Sequence, residues 1–303
     1  MKQKIAIIGA GLMGHGLAVV FASGGHDVTI TDPVEAALQS VTTRIIETLK
    51  SLDRDPAIAN RVMPISDFNV AVQSADTVIE AAPEKLELKQ EIFGKLEAAA
   101  KPNAILASNT SVIPIGQITK EVKSKHRVLG THWWNPPYLV PLVEVVQTEG
   151  TAPETVATMM TLLTSLGKVP VHVKKDVPGF VGNRLQHALW REAIALVAGG
   201  VCDAETIDLV VTNSFGRRLA VLGPMANADL VGTDLTLDIQ NQMLAHLDRS
   251  IEPTDYLKNL VNLGDLGFKT NKGFMNWTDE QKQALRSNVT QHLKTMSEIL
   301  DKR

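Results

Sequence analysis

The sequence predicts an α/β protein: a mostly parallel sheet domain followed by an all-α domain. Three observations carry that expectation. Short β-rich apolar runs alternate with longer helix-period segments through the first half of the chain. A glycine-rich hexapeptide joins the first run to the first helical segment. Beyond about residue 177 no strand-like run follows.

Taken in order, residues 4–8 and 27–31 are β-branched runs suited to strands buried on both faces, and further strands are expected at 76–80, 104–107, 127–130, 142–146 and 169–173. Helices are expected between them at 12–22, 34–50, 85–100 and 154–166. Strands that alternate with helices read as βαβ units and a parallel sheet. After Val177-Pro178-Gly179 the pattern turns helical, at 180–199, 203–214, 225–247 and 279–300, with Asp203 placed to cap the second and Gly223-Pro224 opening the third. Two domains follow, 1–177 and 178–303.

The composition narrows the function. Of 303 residues, 44% are apolar and 21% charged, with a formal net charge of −3. That is too apolar for a disordered chain, and it leaves no basic excess for nucleic acid. A single cysteine, Cys202, forms no internal disulfide and fits a reducing compartment. The start imitates a signal peptide, but Gly9, Gly11, Gly14 and Gly16 interrupt the apolar stretch and no cleavage site follows. Nor is there an apolar run of the ~18 residues a membrane span needs. A soluble, cytoplasmic protein with no membrane partner is expected.

Gly9-Ala10-Gly11-Leu12-Met13-Gly14 matches G-x-G-x-x-G directly after a predicted strand and at the start of a predicted helix. In that context each glycine has a task. Gly9 allows the tight turn, Gly11 lets backbone approach a pyrophosphate, and Gly14 lets helix and strand pack closely. The helix start at Leu12 and Met13 then offers free N–H groups to phosphate. Asp32 ends the second strand, where a carboxylate accepts from the ribose hydroxyls of NAD and repels the extra phosphate of NADP. The bland alternative is a turn aspartate before Pro33. The loop makes the first domain a Rossmann-type NAD-binding domain, with no sign of a flavin site.

A second cluster, Thr131-His132-Trp133-Trp134-Asn135-Pro136-Pro137, follows a predicted strand, with Glu144 twelve residues after His132. A reversal at the prolines would bring the two side chains together. A Glu–His pair fixes one imidazole tautomer and prepares the other ring nitrogen as a base. From spacing alone, a structural histidine is an equal reading. The other histidines show no metal-ligand spacing, and no metal is expected.

The whole chain resembles the NAD-dependent 3-hydroxyacyl-CoA dehydrogenase family. The likeness rests on GAGLMG at 9–14, Asp32, IEAAPE at 79–84, SNTS at 108–111, His-x-x-Asn-Pro at 132–136, PGFVGNRL at 178–185 and GPMANADLVGTD at 223–234. It implies His132 as catalytic base with Glu144 orienting it, and Ser111 and Asn183 at the substrate. It implies Glu84, Lys89, Asn135 and Lys269 lining the NAD site. On their residue types alone, Glu84, Lys89, Asn183 and Lys269 would pass as surface or capping residues. A helical second domain that holds the substrate cleft and dimerises, and a place in fatty-acid metabolism, are implied too. The implied reaction is oxidation of the 3-hydroxyl of an L-3-hydroxyacyl-CoA, with no metal.

Two departures bear on the substrate. Trp133-Trp134 and Pro137-Tyr138-Leu139-Val140-Pro141 stand where many acyl-CoA members have Phe-Phe and a basic residue. That stretch looks more like relatives that oxidise small free acids, such as the carnitine, gulonate and formyl-pyridine carboxylate dehydrogenases. The two tryptophans either narrow the pocket or only pack behind it. Where acyl-CoA members contact CoA, Thr48 and Asp55 stand, and Asp55 would repel phosphate; Lys50, Arg54 and Arg61 are possible substitutes. The tail Gly267–Phe274 keeps the acyl-CoA form. The thioester is therefore the first expectation, a small free acid or polar alcohol the second, and a non-catalytic NADH-binding protein the third.

Overall fold

The structure is a computed structural model that describes residues 2–300. Its described chain packs as two compact units that part at Arg184 and Leu185, the second running to Met296.

In the first unit, β1 (Lys4–Ile8), β2 (Asp27–Thr31), β3 (Val62–Pro64), β4 (Thr77–Glu80), β5 (Ile105–Ser108), β6 (Val128–Trp133), β7 (Leu142–Val146) and β8 (Val169–Val173) form one sheet. Its order is β3-β2-β1-β4-β5-β6-β7-β8, parallel throughout except for the antiparallel pair β6 and β7. Helices α1 (Leu12–Ser23), α2 (Glu35–Ser51), α3 (Phe68–Val72), α4 (Leu86–Ala99), α5 (Ile115–Ile118) and α6 (Pro153–Ser165) connect the strands. Alternation along β1 divides the core: Ile5 and Ile7 join one buried cluster with α1, α2 and α6, while Ala6 and Ile8 join another with α3, α4 and α5. The chain leaves β1 for β2 and later returns on β1's other side as β4. This switch point opens a crevice beyond the strand ends, between the turns that follow Ile8 and Glu80.

The second unit carries most of α7 (Gly182–Ala198), α8 (Ala204–Asn213), α9 (Pro224–Val231), α10 (Thr233–Met243), α11 (Asp255–Asn262) and most of α12 (Asp279–Leu300). Asp203 caps α8 through Thr206 N–H at 2.8 Å.

Several expectations need correction. The helix expected at 225–247 is two helices, because Gly232 takes φ +99°, which breaks the helical path. Strand β3 is an edge of three residues with Met63 exposed, too short for a periodic signal. Helices α3 and α11 and the 3-10 turn at Pro56–Arg61 were not expected either. Strand β6 runs on through Trp133 rather than stopping at Gly130, because pairing with β7 extends it. His132 therefore sits inside a strand.

Candidate active site

Register decides the centre of the site. In the antiparallel pair β6–β7, His132 lies directly opposite Glu144, so the two side chains share one face of the sheet. His132 Nδ1 donates to Glu144 Oε2 at 2.7 Å, and both residues are buried. The second carboxylate oxygen, Oε1, accepts the backbone N–H groups of Val181 and Gly182 at 2.9 and 3.0 Å, where α7 begins. Burial pushes the Glu144 carboxyl up, but the bonds from His132, Gly182 and Val181 outweigh it and hold the pKa below the usual carboxylate range. An ionised carboxylate only accepts, so it places the imidazole proton on Nδ1 and leaves the Nε2 lone pair outward. Nε2 has no partner among the described residues.

Aromatic rings fix the imidazole from two sides. Trp134 lies 5.2 Å from it centroid to centroid and Phe180 5.8 Å. A Cβ on Gly182 would stand 2.5 Å from Trp134 Cζ2 and 3.3 Å from Glu144 Oε2, so only glycine lets the start of α7 close on both. Trp133 faces away and is 2% exposed, packed edge-on against Phe21 with the Lys168 ammonium 5.8 Å above its ring. Of the two tryptophans, Trp133 packs and Trp134 flanks the histidine.

The Ser108–Ser111 motif follows β5 and joins this centre through backbone. Asn109 Oδ1 accepts from Trp133 N–H at 3.0 Å, and Asn183 Nδ2 donates to the Ser111 carbonyl at 2.8 Å. Ser111 and Asn183 are thus held together, with the Ser111 side chain exposed. Glu84 organises the same loop: its Oε1 accepts from Thr110 Oγ1, Ser111 N–H and Val112 N–H at 2.5, 3.0 and 3.1 Å. Burial raises the Glu84 carboxyl, but the bonds from Thr110 and Val112 and the nearby Lys89 charge lower it further.

Lys89, which the resemblance places at the NAD site and residue type alone would leave at the surface, lies in neither position as a free side chain. It is fully buried, and its ammonium is engaged by Glu80 at 2.7 Å, the Ala82 carbonyl at 3.1 Å and Glu84 at 3.5 Å. It supports Glu84 from behind. Asn135 is exposed and joined to Pro136 by a cis peptide, and Lys269 is exposed in the second unit.

The glycine loop fits a dinucleotide. Gly9 has φ +106°, and a Cβ there would meet the Ala81 carbonyl oxygen at 2.7 Å; one on Gly14 would meet the Gly9 oxygen at 1.8 Å. A Cβ on Gly11 would meet nothing within 4 Å, so backbone lies open to a ligand there. No side chain caps α1, which leaves the first-turn N–H groups at Leu12 and Met13 available. Asp32 accepts from Ala10 N–H and Val34 N–H at 2.7 and 2.8 Å, so it closes the turn, and a carboxylate has lone pairs left for a ribose.

Sequence reasoning missed several supporting residues. Arg44 of α2 donates to the Ala10 carbonyl at 2.6 Å and to Ala37 at 2.9 Å, bracing the glycine loop. His15 Nδ1 lies 3.2 Å from the Gly11 oxygen, and burial pushes its pKa down. Gly16 lets Pro137 lie on α1, since a Cβ would come within 2.7 Å of the proline ring. Of these, only Gly16, two residues beyond the fingerprint, left a readable mark.

Known proteins agree with this architecture. The family description "3-hydroxyacyl-CoA dehydrogenase, NAD binding domain" matches residues 4–177, and the description of the family's C-terminal domain matches 179–277. The chain belongs to the 3-hydroxyacyl-CoA dehydrogenase family. It is thereby an oxidoreductase of the NAD-dependent type that acts on CH–OH groups. Among similar family members, the 5-formyl-3-hydroxy-2-methylpyridine 4-carboxylate 5-dehydrogenase of Mesorhizobium japonicum is 37% identical, with all of both chains covered. The L-carnitine dehydrogenase of Streptomyces coelicolor is 38% identical over 76% of this chain and 74% of its own. Among solved structures, a formyl-hydroxymethylpyridine carboxylate 5-dehydrogenase described as an NAD+-dependent dismutase superposes with a TM-score of 0.93 at 36% identity, covering all of both chains. The (S)-3-hydroxybutyryl-CoA dehydrogenase of Ralstonia eutropha reaches 0.76 at 31%, over 92% of this chain and all of its own. Among the described residues no helix is long and apolar enough to cross a membrane.

Proposed function

We propose that this family member oxidises a small free acid that carries a hydroxyl or hydrated aldehyde, of the size and polarity of a pyridine carboxylate. The observation that carries this reading is the full-length likeness to the formyl-pyridine carboxylate dehydrogenase, at 37% identity and a TM-score of 0.93. Local geometry supports it. Thr48 is buried beside Tyr138, and Asp55 caps the following 3-10 turn through Ala57 N–H at 2.8 Å. Both positions at which acyl-CoA members contact CoA are therefore engaged within the fold. The acyl-CoA reading stands second, supported by a 34% identical 3-hydroxyadipyl-CoA dehydrogenase of Escherichia coli that covers 92% of this chain. The intact His132–Glu144 pair counts against a non-catalytic NADH-binding protein.

In this reading His132 Nε2 takes the proton of the substrate hydroxyl. Glu144 stabilises the imidazolium that results, and the Val181 and Gly182 N–H groups at the entry to α7 keep Glu144 ionised and in place. Ser111 and Asn183 hold the substrate oxygen, a positioning contribution to rate. Bound NAD supplies the hydride acceptor. The glycine loop, Asp32, Glu84, Asn135 and Lys269 are its binding residues, with Lys89 fixing Glu84. The domains are 1–177 for NAD and 178–303 for substrate and dimerisation. Leu209, Met225, Leu230 and Leu263, apolar side chains that the second unit exposes, support a homodimer.

The test is NADH formation by the purified protein on 3-hydroxybutyryl-CoA beside a free-acid panel: 3-hydroxybutyrate, L-carnitine, L-gulonate and a hydroxymethyl- or formyl-pyridine carboxylate. A free acid should exceed the thioester in kcat/KM by about a hundredfold, about 2.7 kcal/mol of transition-state binding. A thioester preferred by the same margin overturns the free-acid reading.

A further inference from the structure

A cavity lies within the first unit, on the side of the sheet that α1 and α6 cover. It encloses about 330 Å³ between Ser23 at the end of α1, Arg54 beyond α2, Tyr138 of the β6–β7 connection, and Ser165 and Lys168 between α6 and β8. Two cations and three hydroxyls line it, and no carboxylate does. Arg54 is exposed at the rim, and its guanidinium makes no hydrogen bond or ion pair within the described residues. Lys168 sits deeper. Its ammonium donates to the carbonyls of Pro137 and Val140 at 2.5 and 3.1 Å, which uses two of its three N–H groups. Ser23 Oγ is buried without a partner.

Such a group of donors is electrostatically incomplete. Burial, with a smaller contribution from the Arg54 charge, lowers the Lys168 pKa to about 8, so the two cations repel with no anion between them. A buried hydroxyl without a partner is likewise costly to leave unmade. One acceptor with several oxygens would meet Arg54's fork, the third Lys168 N–H and the Ser23 hydroxyl together.

We propose that this cavity is an anion site in which Arg54 and Lys168 hold a phosphate or carboxylate group, with Ser23 as a further donor. Its volume is at the small end of ligand sites, which range from about 300 to 1,000 Å³. The site has a built-in connection to the catalytic strands. Lys168 clasps the carbonyls of Pro137 and Val140, which lie between His132 and Glu144 in sequence. An anion that favours charged Lys168 thereby firms the connection between β6 and β7.

The experiment is calorimetric titration of the NADH-saturated protein at fixed ionic strength, so that the glycine loop is occupied. Three probes separate the sources of the anion: inorganic phosphate, succinate, and adenosine 3′,5′-bisphosphate. At least one should bind, and Arg54→Ala and Lys168→Met should each weaken it about tenfold or more. Binding of phosphate or succinate marks a site for a free small anion. Binding of the bisphosphate alone marks a nucleotide phosphate. Either result supports the site. If no probe binds the wild type, or Arg54→Ala binds as tightly, the proposal fails. The readout is binding without turnover, so its failure leaves the substrate assignment standing, and a wrong substrate assignment leaves the site testable.

Discussion

A single cross-strand register puts His132 against Glu144, and the consequences can be followed atom by atom. Glu144 has three donors: one oxygen fixes the imidazole of His132, and the other holds the backbone where α7 begins. Glu144→Gln keeps the shape but supplies an amide that no longer dictates which ring nitrogen carries the proton. We expect kcat to fall by about 10²–10⁴-fold with NADH affinity unchanged, measured by steady-state kinetics and NADH fluorescence titration. Residue types and spacing left the Glu–His pairing level with a structural histidine; the family motifs decided for the pair and pointed to Ser111 and Asn183. What no motif showed was the burial of Lys89 and the roles of Arg44 and Lys168. Each donates to backbone carbonyls or to a neighbouring carboxylate, and such contacts depend on tertiary position rather than on local pattern.

At the scale of elements, glycines set how closely helices approach the strands. Gly14→Ala would place a Cβ 1.8 Å from the Gly9 oxygen, forcing α1 from β1. The expected outcome is a stability loss of about 1–3 kcal/mol in denaturant melts and loss of measurable NADH binding. Gly182→Ala acts at the other end of the site, where the new Cβ would press on Trp134 at 2.5 Å. Kinetics should show kcat reduced about tenfold or more, with NADH binding retained. The βαβ alternation and the glycine loop were readable because period and turn chemistry are local signals. The three-residue edge β3 and the break at Gly232 were not: the first is too short to show a period, and the second depends on one residue's φ.

For the whole molecule, ionisable groups with shifted pKa values predict a pH dependence of stability at both ends of the range. Glu84 and Glu144 both have folded pKa values below their usual 4.5. Their contribution is therefore present above about pH 4.5 and is lost as pH falls through the lower folded values. Lys168 works in the opposite limb. Its folded pKa of about 8 lies below the usual 10.5, so the unfolded chain binds the proton more tightly between these values. Stability should rise as pH increases from about 8 to 10, and in Lys168→Met that rise should flatten, both measured by urea unfolding across pH.

The most direct test of the proposed chemistry is turnover and NADH binding by His132→Ala, on the best substrate of the wild-type panel. Removal of the base should abolish measurable turnover, a loss of at least about 10²–10⁴-fold, while the Kd for NADH stays within about twofold. A variant that keeps most of its kcat would contradict the assignment of His132 as the base and, with it, the mechanism built on the β6–β7 pair.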